Sequence, residues 1–201
     1  MLAWIETDLD FSRIADAPAL LARETDALLS WHAGRNLLRC WRRVNGRGWL
    51  GVVDFADAAL LDDALNALPT FGALQGVAIT PLVPHRRFGE FAAWRDVPGS
   101  AAGQLYHVRL AIDRARLEPA RTHDLLERAE ANARRHIDEG QVVGIWREPH
   151  GNGACMAWCV RDAQELHHEL DALPLKGFMR GVHVEPVLPM AGLEALAGWT
   201  R

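Results

Sequence analysis

The chain has 201 residues and a formal charge of -4, and 49% of its residues are hydrophobic. This composition is enough to build a folded core, and it excludes an extensively disordered chain. Acidic and basic residues are mixed along the chain without a basic stripe, which argues against nucleic-acid binding.

We expect a cytoplasmic protein without membrane spans. No apolar run approaches the roughly 20 residues that a membrane-spanning helix needs. The first ten residues, MLAWIETDLD, are acidic and lack the basic and apolar regions of a signal peptide. The three cysteines are too few for a disulfide framework, and we interpret them as inert core residues. We predict neither a metal site nor a cofactor.

The first half of the chain begins with a predicted strand at LAWIET (residues 2–7). The apolar residues Leu20, Leu28 and Trp31 then share one face at helical spacing. This pattern predicts an amphipathic helix that ends near Gly34.

The rest of the first half repeats later in the chain. Residues 40–84 align without a gap on residues 145–189 after a shift of 105 positions. The identities include residues that fix turns, caps and cores: Trp41/Trp146, Gly46/Gly151, Gly48/Gly153, Asp57/Asp162, Pro69/Pro174 and Gly76/Gly181. The chain is therefore a tandem duplication. We predict copies at residues 1–94 and 105–201, joined by a turn-rich linker at 95–104.

The second copy shows its elements most clearly. In chain order we predict a strand at QLYHVRLAI, a helix ending at Gly140, strands on either side of HGNG, a helix capped by Asp162, and a strand at GVHVEPVL. This β-α-β-β-α-β order is the ferredoxin-like pattern. One face of such a sheet lacks helices and must meet another apolar surface. We therefore predict an α+β fold in which two ferredoxin-like repeats form an intrachain barrel of the dimeric α+β type.

Several short motifs occur in a familiar order. The first copy carries ARETDALL, then WRRVNGR, LPTF and TPLVPH, and the second carries LYHVR, WR, ELH, LPL and FM. This arrangement resembles the muconolactone delta-isomerase family over nearly the whole of each copy. Copy one keeps Arg47 and His85 of the family pattern, whereas copy two keeps His107 and His167. The division allows one site assembled from both copies, or two sites that have each been altered.

The resemblance implies an isomerase that moves a double bond in a small unsaturated lactone or carboxylic acid, in aromatic catabolism. Such a reaction needs a base, a group that returns the proton, and a positive group that holds the substrate carboxylate. It needs no metal. The expected partner is therefore a small acid or lactone, and a homo-oligomer of the duplicated chain is a further expectation.

Glu24 and Glu130 are the candidate catalytic bases. Glu24 lies near the middle of an apolar helix face, where an ionised carboxylate is costly unless it is paired or set in a pocket. The alternatives for Glu24 are a buried ion pair with Arg39 or Arg42, and a local twist of the helix that exposes the side chain to solvent. We match Glu130 to Glu24 because it stands ten residues before Gly140, as Glu24 stands ten before Gly34.

The candidate substrate-binding residues are cations, because the expected substrate carries a carboxylate. Arg42 and Arg147 each follow the repeated tryptophan on a strand, so they point away from it. The other candidates match family positions: Arg47, His85, His107 and His167.

Two other functional classes are consistent with the same sequence. Cofactor-free monooxygenases and haem-binding proteins share the α+β barrel, and the fold does not distinguish them from an isomerase. A barrel that binds a small acid or a protein partner without catalysis is the third possibility, because each copy lacks several residues of the family pattern.

Overall fold

The computed structural model describes residues 1–44, 46–83, 97–98, 103–151, 153–190, 193 and 199–200. By compactness the chain divides into two units. Unit 1 comprises Met1–Leu82 and Val187–Trp199, and unit 2 comprises Val83–Pro186 and Thr200–Arg201. Among the described residues, no helix is long and apolar enough to cross a membrane.

Copy one has the predicted element order. Its elements are β1 (Leu2–Leu9), α1 (Ala17–Ala33), β2 (Leu37–Arg43), β3 (Trp49–Asp54), α2 (Ala58–Asn66) and β4 (Leu74–Pro81). The strands form an antiparallel sheet in the order β4-β1-β3-β2. The prediction of a first strand near residues 2–7 is thereby confirmed.

A short two-residue strand, β5 (Val97–Pro98), precedes copy two. Copy two then repeats the order with β6 (Gln104–Ile112), α3 (Pro119–Asp138), β7 (Val142–Arg147), β8 (Gly153–Val160), α4 (Ala163–Asp171) and β9 (Met179–Pro189), before a last strand β10 (Trp199–Thr200). Its sheet order is β9-β6-β8-β7. The two copies therefore have the same ferredoxin-like topology, as predicted.

The compact units do not coincide with the two sequence copies, because a segment of copy two belongs to unit 1. The end of β9 pairs with β2 in unit 1, where Trp41 lies opposite Pro189 and Arg43 opposite Val187. Met190 and Leu193, which follow β9, belong to the apolar core of unit 1. The last residues of copy two thus complete the fold of unit 1, which division of the chain by sequence alone did not predict.

One repeated glycine, Gly48 in copy one and Gly153 in copy two, is required by the same close backbone contact in both copies. A Cβ atom on Gly48 would lie 2.3 Å from the carbonyl oxygen of Thr7, and one on Gly153 would lie 2.3 Å from that of Leu110. The turn between the second and third strands therefore approaches the first strand too closely for any side chain. This close approach explains why both positions carry glycine.

Repeated aspartates begin the second helix of each copy. The Asp57 carboxylate accepts a hydrogen bond of 2.9 Å from the Leu60 amide, and Asp162 accepts one of 2.8 Å from the Glu165 amide. Each aspartate satisfies an amide that the first helical turn leaves without a partner. The predicted N-cap at Asp162 is confirmed.

Each unit has an apolar core that includes residues of its sheet. The core of unit 1 includes Leu28 of α1 and Leu61 of α2. The core of unit 2 includes Ile137 of α3 and Leu166 of α4. Glu24 is buried inside the core of unit 1, whereas Glu130 is only half-buried in unit 2.

Candidate functional site

Glu24 lies inside the core of unit 1. Its side chain is fully buried, and its Oε1 accepts hydrogen bonds from the Trp49 indole nitrogen at 3.0 Å and the Thr70 hydroxyl at 2.7 Å. Its Oε2 accepts a third from the Thr70 amide at 3.3 Å. We call these three residues the Glu24 cluster. These hydrogen bonds come from neutral donors, whereas the alternative expected from the sequence included an ion pair with Arg39 or Arg42.

Aromatic rings close the space around the Glu24 cluster. Trp31 packs edge-on against Trp49, with ring centroids 6.2 Å apart, and against Phe55 at 5.4 Å. A Cβ atom on Gly51 would lie 2.7 Å from the Trp49 ring, so the indole occupies the space above that glycine. Cys40 belongs to the same core. Burial is the main cause that raises the pKa of its thiol, and the nearby charge of Glu24 raises this pKa further.

Glu130 lies in a different setting, at the edge of a cavity in unit 2. The cavity has a volume of about 460 Å³ and lies between α3, the strands β6 to β8 and the turn after α4. Most of its lining is apolar. Its polar lining residues are Arg114, Thr122, Glu130, Arg147 and His150.

Arg147 is the lining residue of this cavity whose charge can best pair with a ligand. It is exposed, and its guanidinium makes neither an ion pair nor a hydrogen bond with any residue in the described part of the chain. Arg114 is held in place, since its guanidinium donates a hydrogen bond to the backbone carbonyl of His150. Two arginines and one glutamate leave the cavity with an excess positive charge, which favours an anionic ligand.

Glu130 is not the structural counterpart of Glu24. The amide of Gly34 donates to the Ser30 carbonyl at the end of α1, and the equivalent bond in α3 joins Glu139 to Arg135. The helix ends therefore align at a shift of 105 residues, which places Ala129 at the position of Glu24. The match of Gly34 to Gly140 was wrong by one residue.

The same shift identifies the counterparts of the other cluster members. Arg42 lies opposite Trp49 in the β2–β3 ladder, and Arg147 lies opposite Ala154 in the β7–β8 ladder. Ala154 therefore occupies the position of Trp49. The short helical turns that begin at Phe71 and Lys176 likewise align Thr70 with Leu175. The Glu24 cluster is thus replaced in copy two by Ala129, Ala154 and Leu175.

All three replacements line the cavity. Alanine at the positions of a glutamate and a tryptophan removes a carboxylate and an indole ring, and the space that these groups fill in copy one is open in copy two. The sequence contained this signal in the repeat alignment, where Trp49 and Thr70 face Ala154 and Leu175. The sequence-based prediction of the site rested on the identities between the copies and not on these differences.

The other predicted binding residues do not all meet at this cavity. Arg42 is exposed on β2, and Arg47 is exposed in the turn before β3. His107 is buried on β6, with its ring 6.3 Å from that of His183. His167 is exposed on α4, where its ring lies 3.7 Å from the Asp171 carboxylate. His85 lies outside the described residues, as do parts of the predicted linker.

Sequence reasoning missed Arg114 and His150, which line the cavity from the turns after β6 and β7. Neither matches a family motif, and both lie in segments where sequence patterns give no indication of side-chain direction. Within the described residues, no group of three or more His, Cys, Asp or Glu side chains is placed to hold a metal ion.

Comparisons with known proteins support the family and the fold separately. The family model of muconolactone delta-isomerase matches residues 104–190, the copy that contains the cavity. No curated protein matches the chain in sequence.

Among solved structures, the chain is similar to chlorite dismutase from Candidatus Nitrospira defluvii, with 10% identity, a TM-score of 0.60, and coverage of 98% of this chain and 94% of that one. It is also similar to a proposed monooxygenase from Lactobacillus acidophilus NCFM, with 7% identity, a TM-score of 0.55, and coverage of 93% and 92%. Identities this low show the fold alone. They confirm the predicted class, since the chlorite dismutases are dimeric α+β-barrel proteins.

Proposed function

Because the family model of muconolactone delta-isomerase matches residues 104–190, we propose that the chain belongs to this family and that its second copy isomerises a small unsaturated lactone or carboxylic acid by proton transfer. The single observation that carries this proposal is the cavity of unit 2, which brings Glu130 and Arg147 together. Both were candidates from the sequence, one as the base and the other as the carboxylate-binding group.

Each residue has a defined role in the proposed reaction. Arg147 binds the substrate carboxylate, because a guanidinium pairs with a carboxylate through two parallel hydrogen bonds. Glu130 removes a proton from the carbon beside the double bond. The electron pair moves through the double bond onto the lactone carbonyl, and Arg114 stabilises the resulting negative charge.

The proton returns to complete the reaction. Protonated Glu130 delivers it two carbons away, the carbonyl forms again, and the double bond has moved by one position. The carboxylate is regenerated and no atom is gained or lost, so the reaction needs no cofactor. The mostly apolar lining supports the proposal, since interactions between charges are stronger beside apolar side chains than in water.

The experiment is an absorbance assay with muconolactone that compares the wild type with Glu130→Gln and Glu24→Gln. We expect Glu130→Gln to lower kcat by about 10²–10⁴-fold, the range typical of a lost general base. Glu24→Gln is the matched control from copy one and should keep its turnover when folded. Turnover that survives Glu130→Gln would refute the proposed base, and a wild type without turnover would refute this substrate.

A further inference from the structure

The size and lining of the unit 2 cavity indicate the size and polarity of its ligand, in addition to its negative charge. A cavity of about 460 Å³ lies within the range of roughly 300–1,000 Å³ in which proteins hold drug-sized ligands. A six-carbon lactone acid would leave much of this space without contacts. The remainder is lined by apolar side chains that include Leu110, Leu126, Met156 and Leu173.

We propose that the chain binds one carboxylic acid with an extended apolar body, and that residue 154 sets the length of that body. This inference rests on the proposed function, which assigns the cavity as the ligand site. The carboxylate pairs with Arg147, and the apolar part lies along the alanines and leucines between α3 and the sheet. Apolar contact area then contributes affinity in proportion to chain length.

Copy one shows how the same space is closed. There the pair Trp49 and Gly51 occupies the positions of Ala154 and Met156, and the indole fills the space above the glycine. The Trp49 nitrogen also has an acceptor in Glu24. The equivalent space of copy one is therefore filled by the protein's own side chains, so we expect one bound acid per chain.

The test measures binding of hexanoate, octanoate and decanoate by isothermal titration calorimetry. A buried methylene contributes about 0.8 kcal/mol, which is about four-fold in Kd, so two methylenes give up to about fifteen-fold. We expect affinity to rise along this series with one acid bound per chain. A Kd that does not change with length, or two acids per chain, would refute the inference.

The decisive variant is the double substitution Ala154→Phe and Met156→Gly, which copies the arrangement of copy one. Phenylalanine fills the space without an indole N–H that would need an acceptor, and the glycine makes room for the ring. This variant should lose the gain from hexanoate to decanoate, while Met156→Gly alone should keep it. Retention of the full gain by a folded double variant would contradict the assignment of residue 154.

The outcomes separate this inference from the proposed function. Length-dependent binding together with absent isomerase activity would refute only the proposed reaction. Binding of all three acids with equal affinity would refute only the extended ligand. A wild type that binds none of them would refute the cavity as a carboxylate site, and with it both proposals.

Discussion

Glu24 accepts three hydrogen bonds from neutral donors in a core closed to solvent. Buried polar groups are stable only when their partners are present, since a lost partner leaves a desolvated group behind. The carboxylate supplies the acceptors that the Trp49 indole and the Thr70 hydroxyl need. Its role in unit 1 therefore includes holding the α1 helix to β3 and to the turn after α2.

We predict that Glu24→Gln destabilises the protein by about 1–3 kcal/mol, since the amide presents hydrogens where the site needs an acceptor. Urea unfolding followed by tryptophan fluorescence measures this change. Glu130→Gln is the control, and its smaller effect should follow from its partly exposed position. Equal losses for the two variants would show that the Glu24 cluster does not stabilise the core as described.

Cys40 gives a second prediction at the residue scale, on pH dependence. Burial and the Glu24 charge raise the pKa of its thiol above the ordinary value of 9.0. The folded protein therefore keeps the proton that the unfolded chain releases, so this contribution to stability is complete below pH 9.0 and falls as pH rises above it. The expected loss is about 1.4 kcal/mol by about pH 10.

The comparison of wild type with Cys40→Ala isolates the pH-dependent contribution of the Cys40 thiol to stability. We expect the difference in unfolding free energy between the two proteins to shrink between about pH 8 and about pH 10, measured by urea unfolding at each pH. The other titrating groups, including Cys159, are common to both proteins and cancel. A constant difference across this range would contradict the raised pKa.

At the scale of elements, the repeated strand ladders follow one plan. Arg42 faces Trp49 as Arg147 faces Ala154, and both second strands carry a register shift near their start. The glycines that begin or precede the third strands lie too close to the first strands to carry a side chain. The identity of Gly48 and Gly153 thus marks a place where the backbone leaves no room for a side chain.

We predict that Gly48→Ala destabilises the protein by about 1–3 kcal/mol, because its Cβ would overlap the Thr7 backbone and its φ of +143° disfavours a side chain. Gly72→Ala is the control from the same copy, where a Cβ meets no atom within 4 Å. Thermal unfolding of both variants measures the contrast. Equal melting temperatures would show that the turn adjusts without cost.

The elements also show why sequence reasoning succeeded and failed where it did. Repeated glycines, caps and strand patterns are local, so they predicted the topology of both copies. The helix ends were less clear, because Gly34 is a cap with negative φ, and the left-handed residue after it is Arg35. In copy two, Gly140 holds that left-handed position. A glycine one place away thus misaligned the two helices.

At the scale of the whole molecule, the duplication has produced two copies with one fold and different interiors. Copy one fills its interior with the Glu24 cluster, whereas copy two leaves a cavity lined by Ala129, Ala154 and Leu175. The sequence could not predict this difference from either copy alone, because a cavity is the joint result of side chains distant along the chain. Only the paired comparison reveals it.

The two copies also depend on each other through the chain. Unit 1 takes the end of β9 and the residues after it from copy two, and Leu193 is almost fully buried in its core with 2% exposure. Removal of a buried leucine side chain costs about 2–5 kcal/mol, since it loses apolar burial and leaves a cavity. Copy one by itself therefore lacks part of its own core.

We predict that Leu193→Ala destabilises unit 1, and that it lowers the hydrogen-exchange protection of β2, which pairs with the end of β9. Leu188→Ala is the matched control, because Leu188 lies on the same segment but is 39% exposed. Hydrogen exchange read by mass spectrometry compares peptides of β2 with peptides of β8 in unit 2. Equal protection of β2 in the two variants would mean that unit 1 folds without the end of copy two. Loss confined to unit 1 would show that the later copy completes the earlier one.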